Sequence, residues 1–216
     1  MAEKTIGKTI FVDEAILRRR TMRGFSLIEL IGAMVLTLVI LGVAVATFSS
    51  ALSSREREAS KTDAITSTQA ALNIMSREIG NSGYGLTDNG IIIADSTAKR
   101  LHIRANVVNN DAETDDPGED ITFYWDSASQ SVVRYDAISR TTSGIINRIS
   151  DVDFVYYNYN PDTGSDTSGA ASDQTGRVKI ILKVTLPPVK GQPANQSVSV
   201  ISDITLRNNI YILGKY

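Results

Sequence analysis

The sequence predicts an α+β protein: a long N-terminal helix, part of it membrane-spanning, packed on an antiparallel β-sheet head. Three observations carry that reading. Residues 25 to 48 hold no basic side chain and a single acid, Glu29. Residues 49 to 79 continue without glycine or proline. From residue 152 onward, apolar and polar residues alternate with the period of half-buried strands.

The first element is the apolar run from Phe25 to Phe48, whose only polar side chains are Ser26, Glu29, Thr37 and Thr47. As a helix it is about 36 Å long, enough to cross a bilayer core of about 30 Å. Its Leu, Ile, Val and Phe residues favour insertion by about 4 to 8 kcal/mol in sum, which one acid near the end, costing at most about 3 kcal/mol, does not cancel. A buried helix of a soluble protein is disfavoured, because such helices rarely stay apolar on every face for so long. Ahead of the run, residues 1 to 24 carry Lys4, Lys8, Arg18, Arg19, Arg20 and Arg23 against Glu3, Asp13 and Glu14. That excess keeps the N-terminus cytoplasmic and places everything after Phe48 outside, in the periplasm or its equivalent.

Ala44-Val45-Ala46 also fits the small-x-small pattern of signal peptidase cleavage. The run is longer than a usual signal core, however, and a carboxylate inside its first turns serves no purpose in a disposable signal. An acid retained in a membrane segment is a functional hypothesis by default.

Arg23-Gly24-Phe25-Ser26-Leu27-Ile28-Glu29-Leu30, behind a basic leader and ahead of a long apolar run, resembles the processing motif of type IV pilins and type II secretion pseudopilins. The resemblance implies a leader of residues 1–24 removed by prepilin peptidase between Gly24 and Phe25, N-methylation of Phe25, and a role for Glu29 in assembly. A cationic amine at Phe25 and the Glu29 carboxylate of a neighbouring subunit are each costly in a low-dielectric setting and tolerable as a pair. The pair would set the axial register of one helix against the next. An acid merely snorkelling to the head groups is the plainer reading of Glu29. The resemblance also implies an inner-membrane precursor with a periplasmic head, and partners among the membrane, the inner-membrane assembly platform and other minor and major pilin subunits.

Beyond the membrane, Ile65, Leu72, Met75 and Ile79 recur at helical spacing, so the helix is expected to run from Phe25 to about Ile79 and to stop at Gly80-Asn81-Ser82-Gly83-Tyr84-Gly85. Major pilins typically bend this helix at a proline and close a C-terminal loop with a disulfide. Here the first proline is Pro117 and there is no cysteine. Both departures favour a minor subunit that primes or caps a filament, most similar to the PilW type of minor pilin and next to the GspJ type of pseudopilin. The supporting residues are the helix exit Met75 to Tyr84 and the late Leu206-Arg207-Asn208.

The head, residues 80–216, reads as strands over Gly90 to Ala94, Arg100 to Val108, Asp120 to Trp125 and Ser131 to Tyr135. Clearer strands follow: Val152, Phe154 and Tyr156 on one face; Val178, Ile180, Leu182 and Val184; and Val198, Val200, Ile204 and Leu206 within Ser197 to Arg207. Asp162 to Gly176 reads as a long connection.

Other chemistry is sparse. With no cysteine and one histidine, disulfide scaffolds, cysteine-based metal sites and His-centred triads are excluded or poorly supplied. No Gly-x-Ser-x-Gly, Walker or HExxH motif is present, and an enzyme is not expected. Six acids between Asn109 and Asp120, with Asp162 and Asp166 beyond, suit calcium, but neither segment has EF-hand spacing and a solvated loop is the preferred reading, so no cofactor is expected. Tyr156, Tyr157 and Tyr159 beside Arg177, Lys179 and Lys183 resemble a nucleic-acid platform. Removing the leader takes six basic and three acidic residues from totals of 22 and 24 and leaves an acidic chain, so nucleic acid is not an expected partner. His102, without a second histidine, is read as structural. The competing class is a membrane-anchored binding or enzymatic domain that uses residues 25 to 48 only as a tether.

Overall fold

The computed structural model describes residues 24–109, 111, 113–188 and 196–208. The leader assigned to residues 1–24 therefore lies outside the described residues except for Gly24. The chain divides into two compact units after Phe48.

The first unit is the N-terminal part of one continuous helix, α1, Leu27–Gly80. It is long and apolar enough to cross a membrane, and none of its most apolar window is buried. Its threonines are satisfied locally: Thr37 Oγ1 donates to the Ala33 carbonyl at 2.7 Å and Thr47 Oγ1 to those of Val43 and Ala44. Such back-bonding lets a hydroxyl reside in an apolar helix without an outside partner.

The second unit begins at Ser49. Here α1 buries Thr68, Ala71, Leu72, Met75 and Ile79, the i, i+3, i+4 stripe expected of a helix with one face on a core. Ile65 of the predicted stripe is only half-buried. Two four-stranded antiparallel sheets complete the head. The first has the order β1-β2-β3-β4, with β1 Arg100–Arg104, β2 Asp120–Asp126, β3 Ser131–Asp136 and β4 Thr141–Ile146. The second has the order β6-β5-β7-β8, with β5 Ile149–Asn160, β6 Ser165–Gly169, β7 Thr175–Thr185 and β8 Ser197–Thr205. Alternate residues of each sheet, among them Leu101, Ile121, Phe123, Val152, Phe154, Ile180 and Leu182, join Leu72, Met75 and Ile79 in a single core.

The structure corrects the strand assignments in four places. Gly90 to Ala94 is not a strand: only Ile91 bridges to Ile103, and Ile93–Asp95 forms a 3-10 turn. The Asp88 and Asn89 side chains accept the N–H groups of Gly90 and Ile91 and turn the chain there. The run from Arg100 ends at Arg104 rather than Val108, because the next N–H groups leave the ladder. Ala105 bonds the Glu119 carbonyl, Asn106 that of Tyr84, and Val107 and Val108 the Glu119 carboxylate. β4 went unseen in the sequence, and the connection assigned to 162–176 contains β6.

Candidate functional site

The site singled out by the sequence is the start of α1. Gly24, Phe25 and Ser26 precede the helix, so the bond between Gly24 and Phe25 lies in non-helical chain. Phe25 is 87% exposed, and a Cβ added to Gly24 would meet nothing within 4 Å. The fold itself makes no steric demand for glycine there.

Glu29 sits in the first turn of α1, and its Oε2 accepts the Ser26 backbone N–H at 3.0 Å, while the Leu30 N–H donates to the Ser26 carbonyl at 3.1 Å. Ser26 is thus the N-cap and Glu29 the third helical residue, the spacing at which an acid reaches back to the cap. A carboxylate at this end also complements the helix dipole. The signal was present in the sequence as Ser26-x-x-Glu29 and was masked by the apolar run around it. The arrangement leaves Glu29 as the single charge of a span whose threonines bond to their own helix.

At the other end of α1, the residues quoted for the helix exit and the late Leu206-Arg207-Asn208 meet. The Arg207 N–H donates to the Gly80 carbonyl at 3.0 Å, and Arg207 Nη1 to Asn81 Oδ1. The Asn208 amide points at the carbonyls of Gly83, Leu86 and Asp88. Gly83 and Gly90 hold positive φ angles of 77° and 71° in a backbone crossing where Gly83 N–H bonds the Arg104 carbonyl and Arg104 N–H that of Gly90.

In the acidic loop, Asp115, Asp116 and Glu119 bring carboxylate oxygens within 4.8 Å of one another. Glu119 is buried and accepts the N–H groups of Val107, Val108 and Asp116, so it organises the loop with backbone donors. Desolvation, with Asp115, Glu119 and Asp111 nearby, raises the Asp116 carboxyl above its ordinary value. Asp115 and Asp116 are the carboxylates left to face a cation such as calcium. Of the second acidic segment, Asp166 pairs with Arg177.

The tyrosines divide between two faces. Tyr156 points into the core, its hydroxyl donates to the Thr97 and Arg100 carbonyls, and burial pushes it well above the usual phenol range. On the opposite face the Arg177 guanidinium stacks 3.9 Å from the Tyr157 ring and bonds Asp203, and Lys179 Nζ donates to the Tyr157 hydroxyl at 2.8 Å. These cations are engaged within the sheet. His102 lies between Asp95, 2.9 Å from Nδ1, and Asp120, 2.6 Å from Nε2; Arg100 shares the Asp95 oxygen that faces the ring, and Arg104 holds the other oxygen of Asp120. The ring is bonded within a row of acidic and basic side chains along β1, and both of its nitrogens face carboxylates rather than a hydroxyl.

Residues 19–45 match the family model described as the prokaryotic N-terminal methylation motif. The chain carries that motif. The match covers Arg19, Arg20 and Arg23, the Gly24–Phe25 junction, Glu29 and most of the apolar run. It supports a pilin-like protein of the prepilin type, processed by prepilin peptidase, anchored in the membrane and assembled with other pilins. Proteins that carry the motif in this way are structural rather than typically enzymatic. No curated protein and no solved structure matches the chain.

Proposed function

We propose that this protein is a minor pilin: a membrane precursor cut between Gly24 and Phe25, methylated on Phe25, and inserted through α1 into a type IV pilus, whose assembly it primes or caps at the tip. The observation that carries the proposal is the pairing of an exposed, non-helical Gly24–Phe25 bond with a single charge, Glu29, in an otherwise uncharged span. In the isolated chain Glu29 caps its own helix. In a filament its carboxylate is near enough to the helix start to exchange that amide for the methylated Phe25 amine of a neighbour, which fixes the axial stagger. Two further features favour a minor over a major subunit: α1 is uninterrupted by proline, and the head is closed without a disulfide.

Mass spectrometry of the N-terminus of the protein isolated from membranes tests this. A methylated Phe25 is expected. An intact leader, or a start after Ala46, overturns the proposal and favours a head tethered by a simple anchor. The same processing occurs in a minor pseudopilin of a type II secretion system, the second reading. Co-purification with pilus subunits rather than secretion components separates the two.

A further inference from the structure

The head's two sheets leave four outer strands, and three of them are protected against pairing. Residues 90–92 cover β1, with Arg104 N–H bonded to the Gly90 carbonyl and Ile92 N–H to that of His102. β4 is displaced against β3 by a bulge between Val132 and Val133. β6 is only five residues long and ends in Gly169. Short strands, bulges and covering segments are the usual defences of a sheet edge.

Among the described residues, β8 has none of these. It runs nine residues in unbroken register with β7, and it contains no proline, lysine or arginine. Its one charge, Asp203, is neutralised by Arg177 at 2.7 Å. Among the described residues, the backbone bonds of 197–205 run to β7 alone. Its inner face is occupied: Ile204 belongs to the core, Val200 packs against it half-buried, and Ser202 bonds Ser76 of α1. Its outer face carries Ile201, 59% exposed at the midpoint of the strand.

We propose that the free edge of β8 is a strand-addition surface and that its occupant is β8 of a second copy of this chain, paired antiparallel about Ile201. An unpaired row of N–H and C=O groups selects an extended strand as its ligand. The side chains select the register. Centred on Ile201, the pairing sets Val198 opposite Ile204, Ser199 opposite Asp203, and Val200 opposite Ser202, and brings the two Ile201 side chains together. A shift of one residue opposes inner-facing with outer-facing positions. A shift that centres the pair on Asp203 opposes two carboxylates, which is destabilising. The Ile201-centred register alone sets the two exposed isoleucines opposite each other, and it faces each Asp203 with a hydroxyl. Both copies use the same patch, so the contact is twofold and closes on itself. The inference goes beyond N-terminal processing and rests on the head alone, so the two proposals fail separately.

Single thiols in the full-length chain in detergent micelles test it, because the native sequence has no cysteine. Directly opposed residues of an antiparallel pair have Cα atoms about 4.5–5.5 Å apart, within disulfide range. Under mild oxidation, Ile201→Cys is expected to form a disulfide-linked dimer many-fold more than Ala128→Cys, which sits in an exposed turn. Differently tagged Ser199→Cys and Asp203→Cys chains are expected to link to each other several-fold more than Ser199→Cys links to itself. Equal crosslinking of Ile201→Cys and Ala128→Cys overturns the surface. An Ile201→Cys dimer without the mixed Ser199–Asp203 product overturns the register. Crosslinking of Ile201→Cys in cells only to a different pilin overturns the second copy as occupant.

Discussion

The amide N–H of Arg207 donates to the carbonyl of Gly80 at 3.0 Å, so the last described turn of the chain closes the end of its longest helix. A helix leaves its final carbonyls without intrahelical donors. Here one of them is met by a residue far along the sequence, and the next residue, Asn208, meets three carbonyls of the loop that follows the helix.

Asn208→Ala takes that amide from the Leu86 and Asp88 carbonyls, while the Gly83 carbonyl keeps the Leu86 N–H, so it is expected to destabilise the head by about 2 kcal/mol. Thermal unfolding of the full chain in detergent measures it. An unchanged melting temperature would show that the Arg207 contact suffices by itself.

Gly90 and Gly118 both have positive φ, but their surroundings differ. A Cβ on Gly90 would lie 2.2 Å from the Arg104 carbonyl oxygen and the Gly83 nitrogen, whereas one on Gly118 meets nothing within 4 Å. Gly118→Ala is expected to cost about 1–2 kcal/mol of backbone strain, and Gly90→Ala about 3 kcal/mol or more. Denaturant midpoints of the two variants should therefore fall in that order, and the reverse order would contradict the backbone crossing at Gly83 and Gly90.

Glu29 has two separable attributes, an acceptor oxygen and a charge. Glu29→Gln keeps an acceptor for the Ser26 N–H and removes the charge; Glu29→Ala removes both. Both variants are expected to be processed at Gly24, and both to be impaired in filament incorporation, measured by immunoblot of sheared filaments against membranes. Normal incorporation of Glu29→Gln would make the cap, rather than the charge, the residue's contribution to assembly.

Lys99 Nζ bridges Asp151 and Asp153 of β5, the latter at 2.8 Å. The hydrogen bond from Lys99 is the largest influence holding the Asp151 carboxyl below its ordinary value. An acid with a depressed folded-state value contributes stability above its unfolded value, near pH 4, and loses it as pH falls through the folded one. Lys99→Met is accordingly expected to flatten the acid limb of a stability-against-pH profile below about pH 4. An acid limb as steep as the native protein's would place the acid sensitivity elsewhere.

Much of the head was legible in the sequence because burial imposes a period. β5 and β7 bury alternate residues from Val152 and Val178 as the pattern foretold, and α1 stops at Gly80 where glycine and asparagine cluster. β4 and β6 escaped because neither has a buried residue to impose a period: Thr141–Ile146 is exposed or half-buried and Ser165–Gly169 fully exposed, held by backbone pairing to β3 and β5. The division of the strands into two sheets was likewise invisible, since period-two patterning reports which face is buried but not which strand is the neighbour. At the N-terminal site the charge and the Gly24–Phe25 junction were legible, whereas the Ser26–Glu29 cap needed the geometry to be seen.

The bond between Arg207 and Gly80 also sets the route of mechanical load. A pull along α1 enters the head through its buried residues from Thr68 to Ile79 and ends at Gly80, which is tied to the segment that follows β8. From there the tension passes into β8, the outer strand of its sheet, whose nine-residue ladder with β7 is continued inward by β5. The end of the helix and the last described residues are thus fastened at one point, and the head resists traction as a unit instead of peeling from its helix.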